Sequence, residues 1–176
     1  MVQTYRLIAS EHKTFLERLD REIGEGAASY RFFQRITMRT SARNQFSGVI
    51  KEVRKGSVNS EVFMEIRPEV TLAAIITNKT AEEMELKVGQ SAYALFKATG
   101  IFLTVDPEIR LSAENRLCGT VSAVVEGSVN TEVQITLPGG SIVTAVITKQ
   151  SAEENGLRVG VTACAFIPAS SIIVGV

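Results

Sequence analysis

The alternation of hydrophobic and polar residues along most of this chain is typical of short β-strands. The stretch NQFSGVIKEVRK alternates with period two, and two β-branched runs, SVNSEVFMEI and VTLAAIIT, follow it. The next stretch, NKTAEEMELKVG, changes character: Thr80 precedes Glu83 by three residues, as in a capping box. This spacing predicts a short helix capped by Thr80 and ended by Gly89. Two further strands, SAYALFKA and GIFLTV, complete a predicted unit of five strands and one short helix.

The first 38 residues have a helical periodicity instead. Hydrophobic residues recur near helical spacing with charged residues between them, at Leu7, Ile8, Phe15, Leu16, Leu19 and Ile23. Gly24 and Gly26 end this predicted helix, and AASYRFFQRITM is predicted to form a second one. His12, the single histidine, falls on the polar side, where a solvated surface role is expected. Because the apolar face needs cover, residues 1–38 are predicted to be a helical dimerisation or linker segment.

The remainder of the chain repeats itself with an offset of 71 residues. Ser41–Val105 aligns with Ser112–Val176 without a gap, and 25 of the 65 aligned pairs are identical. A gapless match of this length indicates a tandem duplication. We place the first repeat at residues 39–106 and the second at 107–176. The predicted fold is mainly β: two tandem OB-like five-stranded barrels, each with one short helix, preceded by the α-helical segment.

Composition and charge indicate the cellular compartment of the chain and the partners that it can bind by itself. The formal net charge of the 176 residues is zero, so the chain has no basic surplus with which to hold a nucleic-acid backbone by itself. No apolar run is long enough for a membrane span, and the first residues lack a signal-peptide core. Cys118 and Cys164 have no CxxC spacing, and we interpret both as buried free thiols in a reducing compartment. A cytoplasmic protein without a membrane partner is expected.

The residue patterns of catalysis are missing. One histidine and no nucleophile beside a base cannot assemble the usual hydrolytic sites, and a zinc site needs more Cys and His. No phosphate-binding glycine motif occurs. The paired acids Glu82–Glu83 and Glu153–Glu154 are interpreted as complements of a helix dipole. The chain is therefore predicted not to be an enzyme.

The first repeat carries a set of groups that suit an anion. Ser41, Thr77 and Thr80 offer hydroxyls, and Arg43 and Lys97 offer positive charge. A helix start adds backbone N–H groups that favour negative charge. Hydroxyls, N–H groups and two cations together suit a compact tetrahedral dianion.

The second repeat retains the hydroxyls and loses the cations. Arg43 is replaced by Glu114 and Lys97 by Pro168, whereas the three hydroxyl positions are kept as Ser112, Thr148 and Ser151. The loss of both cations in an otherwise preserved frame indicates that they serve one ligand. The first repeat is therefore predicted to bind an anion and the second to be structural.

These residues resemble the Mop (TOBE-type) oxyanion-binding domain, most specifically in TSARNQ and the later LFKA. The tandem pair after a helical segment is similar to the C-terminal half of ModE-type molybdate-responsive transcription regulators, over roughly residues 38–176. The resemblance implies that molybdate or tungstate binds between the subunits of a homodimer. Ser41 and Arg43 are then expected from one chain, and Thr77, Thr80 and Lys97 from its partner. The full implied ligand-binding set is Ser41, Arg43, Thr77, Asn78, Thr80, Ala81 and Lys97.

Three functions remain open from the sequence. The first is the sensing module of a molybdate-dependent regulator, which contacts operator DNA only through a winged-helix domain expected to be absent from this chain. The second is an intracellular molybdate-storage or buffering protein, similar to molbindins. The third is the regulatory tail of an ABC-transporter ATPase, which leaves residues 1–38 unexplained. The degenerate second repeat favours the regulator, since storage gains from more sites.

Overall fold

A computed structural model describes residues 40–67 and 70–176 of the chain. The helices predicted within residues 1–38 lie outside the described residues. The elements below belong to one compact unit, Ser41–Val176.

The described strands and helices follow the same order in the two repeats. The first repeat contains β1 (Asn44–Lys55), β2 (Asn59–Arg67), β3 (Val70–Thr77), α1 (Asn78–Glu83), β4 (Ser91–Phe96) and β5 (Phe102–Thr104). The second contains β6 (Asn115–Glu126), β7 (Asn130–Thr136), β8 (Ile142–Thr148), α2 (Lys149–Glu154), β9 (Thr162–Ile167) and β10 (Ile173–Gly175). A short 3-10 turn precedes each last strand, at Ala98–Gly100 and Ala169–Ser171. In the part of the chain that the structure describes, no helix is long and apolar enough to cross a membrane.

The last strands of the two repeats are exchanged. One sheet has the order β10–β4–β1–β2–β3 and the other the order β5–β9–β6–β7–β8. Ile173 of β10 pairs with Leu95, and Phe102 of β5 pairs with Phe166. The prediction of a mainly β chain with two five-stranded sheets is confirmed. Each sheet, however, takes four strands from one repeat and the fifth from the other, which the sequence pattern does not predict.

The hydrophobic core is shared between the repeats. Ile50 and Val62 of the first repeat and their counterparts Val121 and Val133 of the second are all fully buried in one cluster. Burying a side chain of this kind stabilises a fold by roughly 1.5–3 kcal/mol. Because a 65-residue unit buries little surface on its own, each repeat depends on the other for stability.

Two buried asparagines bind the repeats together in a symmetric way. The Asn44 side chain donates to the Thr144 carbonyl oxygen and accepts from the Thr144 N–H, both at 2.8 Å. Asn115 makes the equivalent pair with Ala73, at 2.9 and 2.7 Å. Each asparagine side-chain amide therefore pairs with a backbone N–H and C=O of the opposite sheet, as a residue of a neighbouring strand would. An approximate two-fold axis relates the repeats, and it brings the start of β1 against the second sheet.

The prediction of two free thiols is wrong. Cys118 and Cys164 form a disulfide across the adjacent strands β6 and β9. The antiparallel register sets these residues directly opposite each other, with their Cα atoms 4.0 Å apart. The corresponding first-repeat pair is Ser47 and Tyr93, so the bond is confined to the second repeat. A spacing of 46 residues gave no sign of the pairing, because it arises from strand register.

Candidate functional site

The two cations predicted to serve one ligand lie next to each other in a single chain. Asn44, the first residue of β1, pairs with Phe96, the last residue of β4. In an antiparallel ladder, Arg43 just before β1 and Lys97 just after β4 therefore emerge at the same end of the sheet. Within one chain this register sets Lys97 beside Arg43, whereas the resemblance implied that Lys97 comes from a partner chain.

A carboxylate from the second repeat holds Arg43. The Arg43 Nη2 atom lies 2.8 and 2.9 Å from the two carboxylate oxygens of Glu132, on β7. The Arg43 side chain is 59% exposed and that of Glu132 is 23% exposed. Among the described residues, Glu132 is the only partner of this guanidinium, and Lys97 has no ion pair. Within the described part of the chain, Glu132 therefore engages only the Nη2 nitrogen of this guanidinium.

The hydroxyl groups of the site belong to the start of α1. The Thr77 Oγ1 accepts a hydrogen bond from the Thr80 N–H at 3.1 Å, and the two hydroxyl oxygens lie 2.8 Å apart. Thr77 is thus the N-cap, so the prediction that Thr80 caps the helix is wrong. The cap moves three residues upstream because β3 continues to Thr77, which pairs with Asn59. The helix also ends earlier than predicted, at Glu83 instead of Gly89.

The neighbouring predicted residues hold the helix start in place. The Asn78 side chain donates to the Gly56 carbonyl oxygen at 2.9 Å and accepts from the Ser60 hydroxyl at 2.7 Å. These bonds tie α1 to the turn between β1 and β2, so the Asn78 side chain is already engaged. Ala81 lies in α1 and is partly buried.

Within one chain, the predicted site residues form two separate groups. Thr77 pairs with Asn59, and the adjacent Ser60 pairs with Lys55, the last residue of β1. The start of α1 therefore lies beside the far end of β1, whereas Arg43 precedes its first residue. The 12 residues of β1 correspond to roughly 35 Å of extended chain. The structure brings Ser41, Arg43 and Lys97 to one end, and Thr77, Asn78, Thr80 and Ala81 to the other.

At the equivalent place in the second repeat, a carboxylate replaces the guanidinium. One Glu114 oxygen accepts a hydrogen bond from the Ala169 N–H at 2.7 Å. The Ala169 N–H, and next the N–H of Glu114 itself, lower the pKa of this carboxyl because they stabilise its charged form. Pro168, beside it, offers neither a cation nor an N–H group. The second repeat thus presents a negative charge where the first presents two positive ones.

Outside the candidate site, the described residues offer a pocket and no cluster of metal-binding side chains. Across residues 40–67 and 70–176, no group of three or more His, Cys, Asp or Glu side chains is placed to hold a metal ion. A pocket of about 180 Å³ lies away from the candidate site, lined by Val70, Thr71, Arg116, Leu117, Cys118, Leu137 and Pro138. Its one charged group, Arg116, donates to the Pro107 carbonyl oxygen at 2.6 Å. The pocket therefore has no acid and base with which to carry out chemistry.

Glu132 is the partner of Arg43 that the sequence did not reveal. It lies 89 residues from Arg43, in the retained GSVN-E pattern of the second repeat. The pattern marks it and its counterpart Glu61 as matched positions. Which residue faces Arg43 depends on how the two sheets pack, and no local signal carries that information.

Comparison with known proteins identifies the domain. The model of the TOBE domain matches residues 40–103 and 111–174. The chain is 40% identical over 181 residues to the molybdenum transport protein ModE of Azotobacter vinelandii, covering 100% of this chain and 67% of that protein. It is 43% identical over 140 residues to the molybdenum-pterin-binding protein MopA of Rhodobacter capsulatus, covering 78% and 52% respectively. The chain thus spans about two thirds of the first relative's length and about half of the second's.

A solved structure agrees with this result. The cytoplasmic molybdate-binding protein ModG, crystallised with molybdate bound, has a TM-score of 0.76 and 40% sequence identity to this chain. The similarity covers 79% of this chain and 99% of that one. The resemblance to the Mop (TOBE-type) domain is therefore confirmed. With two matched domains that cover most of its length, the chain belongs to the TOBE-domain family, carries the domain in two tandem copies, and is homologous to ModE and MopA.

Proposed function

We propose that this chain binds molybdate or tungstate between two copies of itself, as the sensing module of a molybdate-dependent transcription regulator. The observation that carries the proposal is the adjacent pair Arg43 and Lys97, which the second repeat replaces with Glu114 and Pro168. Two adjacent cations match the double charge of a tetrahedral oxyanion. The molybdate bound by the similar ModG protein supports the same ligand here. The chain is not proposed to be an enzyme.

The geometry of one chain supports a site divided between two chains. The cations and Ser41 lie at one end of β1, and the hydroxyls of Thr77 and Thr80 lie at the other. One tetrahedral ion is only a few ångströms across, so a single chain cannot surround it with both groups. A second copy supplies the missing half, and a two-fold dimer forms two equivalent sites in this way.

The regulator proposal is supported by how much of the chain the ModE match covers. ModE of Azotobacter vinelandii matches 100% of this chain, whereas MopA matches 78%. Residues 1–38, outside both TOBE matches, lie within the part of this chain that the ModE match covers. In this proposal, ligand binding biases the arrangement of a cytoplasmic homodimer, and a winged-helix DNA-binding domain reads that bias on operator DNA.

Storage or buffering of molybdate is the second candidate. It is favoured by ModG, described as a cytoplasmic molybdate-binding protein, of which 99% aligns with this chain. The number of bound anions separates the two functions. A storage protein gains from sites in both repeats, whereas a sensor needs only the first.

We expect the chain to be a homodimer in solution. The two halves of the site lie at opposite ends of β1, and they can enclose a ligand only if two chains meet. Sedimentation equilibrium at micromolar concentration is expected to give twice the monomer mass of 19.1 kDa. A monomer that binds molybdate tightly would contradict the assignment of the site to two chains.

We expect each chain to bind one molybdate. Calorimetric titration of the chain should give a stoichiometry near one per chain, since the second repeat lacks both cations. Tungstate, a tetrahedral dianion of similar size, should compete for the same site. Two anions per chain would instead support storage, and no binding at all would refute the proposed function.

A further inference from the structure

We propose that Glu132 of the second repeat positions the Arg43 guanidinium for the oxyanion bound by the first repeat. The second repeat then contributes a residue to the ligand-binding site, in addition to its structural role. This inference rests on the proposed function. It concerns a residue that neither the sequence pattern nor the resemblance assigned to the site.

The contact leaves Arg43 able to bind a ligand. Both Glu132 oxygens approach the same nitrogen, Nη2, at 2.8 and 2.9 Å. A guanidinium has five N–H donors in a planar fork, so one nitrogen is anchored while the remaining edge stays free. With 59% of the Arg43 side chain exposed, an anion has access to that edge. The geometry points to an anchor, not to a carboxylate that blocks the donors.

Glu132 is itself well placed to act as an anchor. It lies on β7, which is paired on both sides: Glu132 faces Val125 of β6 and Val146 of β8. Its carboxylate also accepts a bond from the Gln134 side chain at 3.3 Å. Arg43, by contrast, precedes β1 and carries a long side chain with much rotamer freedom. Fixing that freedom before the ligand arrives lowers the entropic cost of binding.

The approximate two-fold symmetry provides an internal comparison. An axis relates the two asparagine contacts described above. The same axis relates the pair Arg43–Glu132 to the pair Glu114–Glu61 of the other half. Two carboxylates cannot pair, and Glu114 instead accepts from the Ala169 N–H. Glu61 is left with Arg54 as its ion-pair partner, at 3.9 Å. The anchor is therefore present in both halves, but only the first repeat supplies the arginine.

The test is a calorimetric titration of the full chain with molybdate. Glu132→Ala is expected to weaken binding by up to about tenfold, the upper end of the cost of ordering one flexible side chain at a binding site. Glu132→Gln keeps an acceptor oxygen for Nη2 and should stay within about threefold of the parent. Glu61→Ala, the symmetry-matched control, should leave the affinity unchanged. Glu132→Thr, which suits a strand, replaces Glu132→Ala if the latter does not fold.

The outcomes separate this inference from the proposed function. Equal or tighter binding by Glu132→Ala would overturn the positioning role and mark Glu132 as a bystander or a competitor. A loss of equal size in Glu132→Gln would also overturn it, because the hydrogen bond would then not be the cause. If the parent chain itself binds no molybdate, the proposed function fails, and the inference fails with it.

Discussion

Arg43→Glu is expected to abolish molybdate binding while the sheets remain folded. The substitution removes a hydrogen bond to a charged ligand, worth about 1.5–3 kcal/mol, and sets a carboxylate against a dianion. The upper end of that range alone corresponds to a loss of affinity of roughly 150-fold, and the added repulsion acts in the same direction. Calorimetry should therefore show an affinity lower than the parent's by more than roughly 150-fold.

The second repeat explains why this variant should fold. Glu114 occupies the equivalent position and accepts a bond from the Ala169 N–H. In Arg43→Glu, the introduced carboxylate can accept a hydrogen bond from the N–H of Ala98, the residue that corresponds to Ala169. The lost Arg43–Glu132 pair is solvent-exposed, and such pairs contribute about 0–1 kcal/mol to stability.

Arg43→Lys provides the matched comparison. It keeps the positive charge but loses the planar fork and the anchored Nη2, so binding should weaken by less than in Arg43→Glu. Melting temperatures without ligand should lie within a few degrees of the parent for both variants. Tight binding by Arg43→Glu, or a large fall in its melting temperature, would show that Arg43 is structural and that the ligand binds elsewhere.

Glu114→Arg combined with Pro168→Lys is expected to add a second molybdate site. The two changes restore both cations, remove the fixed carboxylate, and leave the hydroxyls of the second repeat in place. The backbone already permits them: Pro168 has φ −58° and ψ 137°, close to the φ −75° and ψ 140° of Lys97. Glu61 is retained as the anchor for the introduced guanidinium.

The measurement is the stoichiometry of the same titration, which should rise from near one to near two per chain. Each single substitution restores only one cation and serves as a control, with weaker binding expected at the second site. A double variant that still binds one anion would show that other residues disable the second repeat. Our interpretation of the difference between the repeats would then be wrong.

The sequence by itself determined the elements and the chemistry that is local to them. Period-two alternation predicts β1, because a strand that buries one face needs it, and β1 is observed at Asn44–Lys55. The gapless duplication predicts two sheets of five strands, which the structure contains. The replacement of Arg43 by Glu114 predicts an anion site from charge alone. Each of these signals lies within a few residues or in an alignment of the two repeats.

Only the tertiary structure decided which of these elements meet. The fifth strands have similar patterns in both repeats, so either sheet can accept either strand, and the exchange depends on long-range packing. Strand register places Lys97 beside Arg43 and joins Cys118 to Cys164. Sheet-to-sheet packing brings Glu132 to Arg43 across 89 residues. The physical reason is the same in each case: backbone pairing and side-chain packing act between residues far apart in the chain, and local patterns specify a strand but not its neighbour.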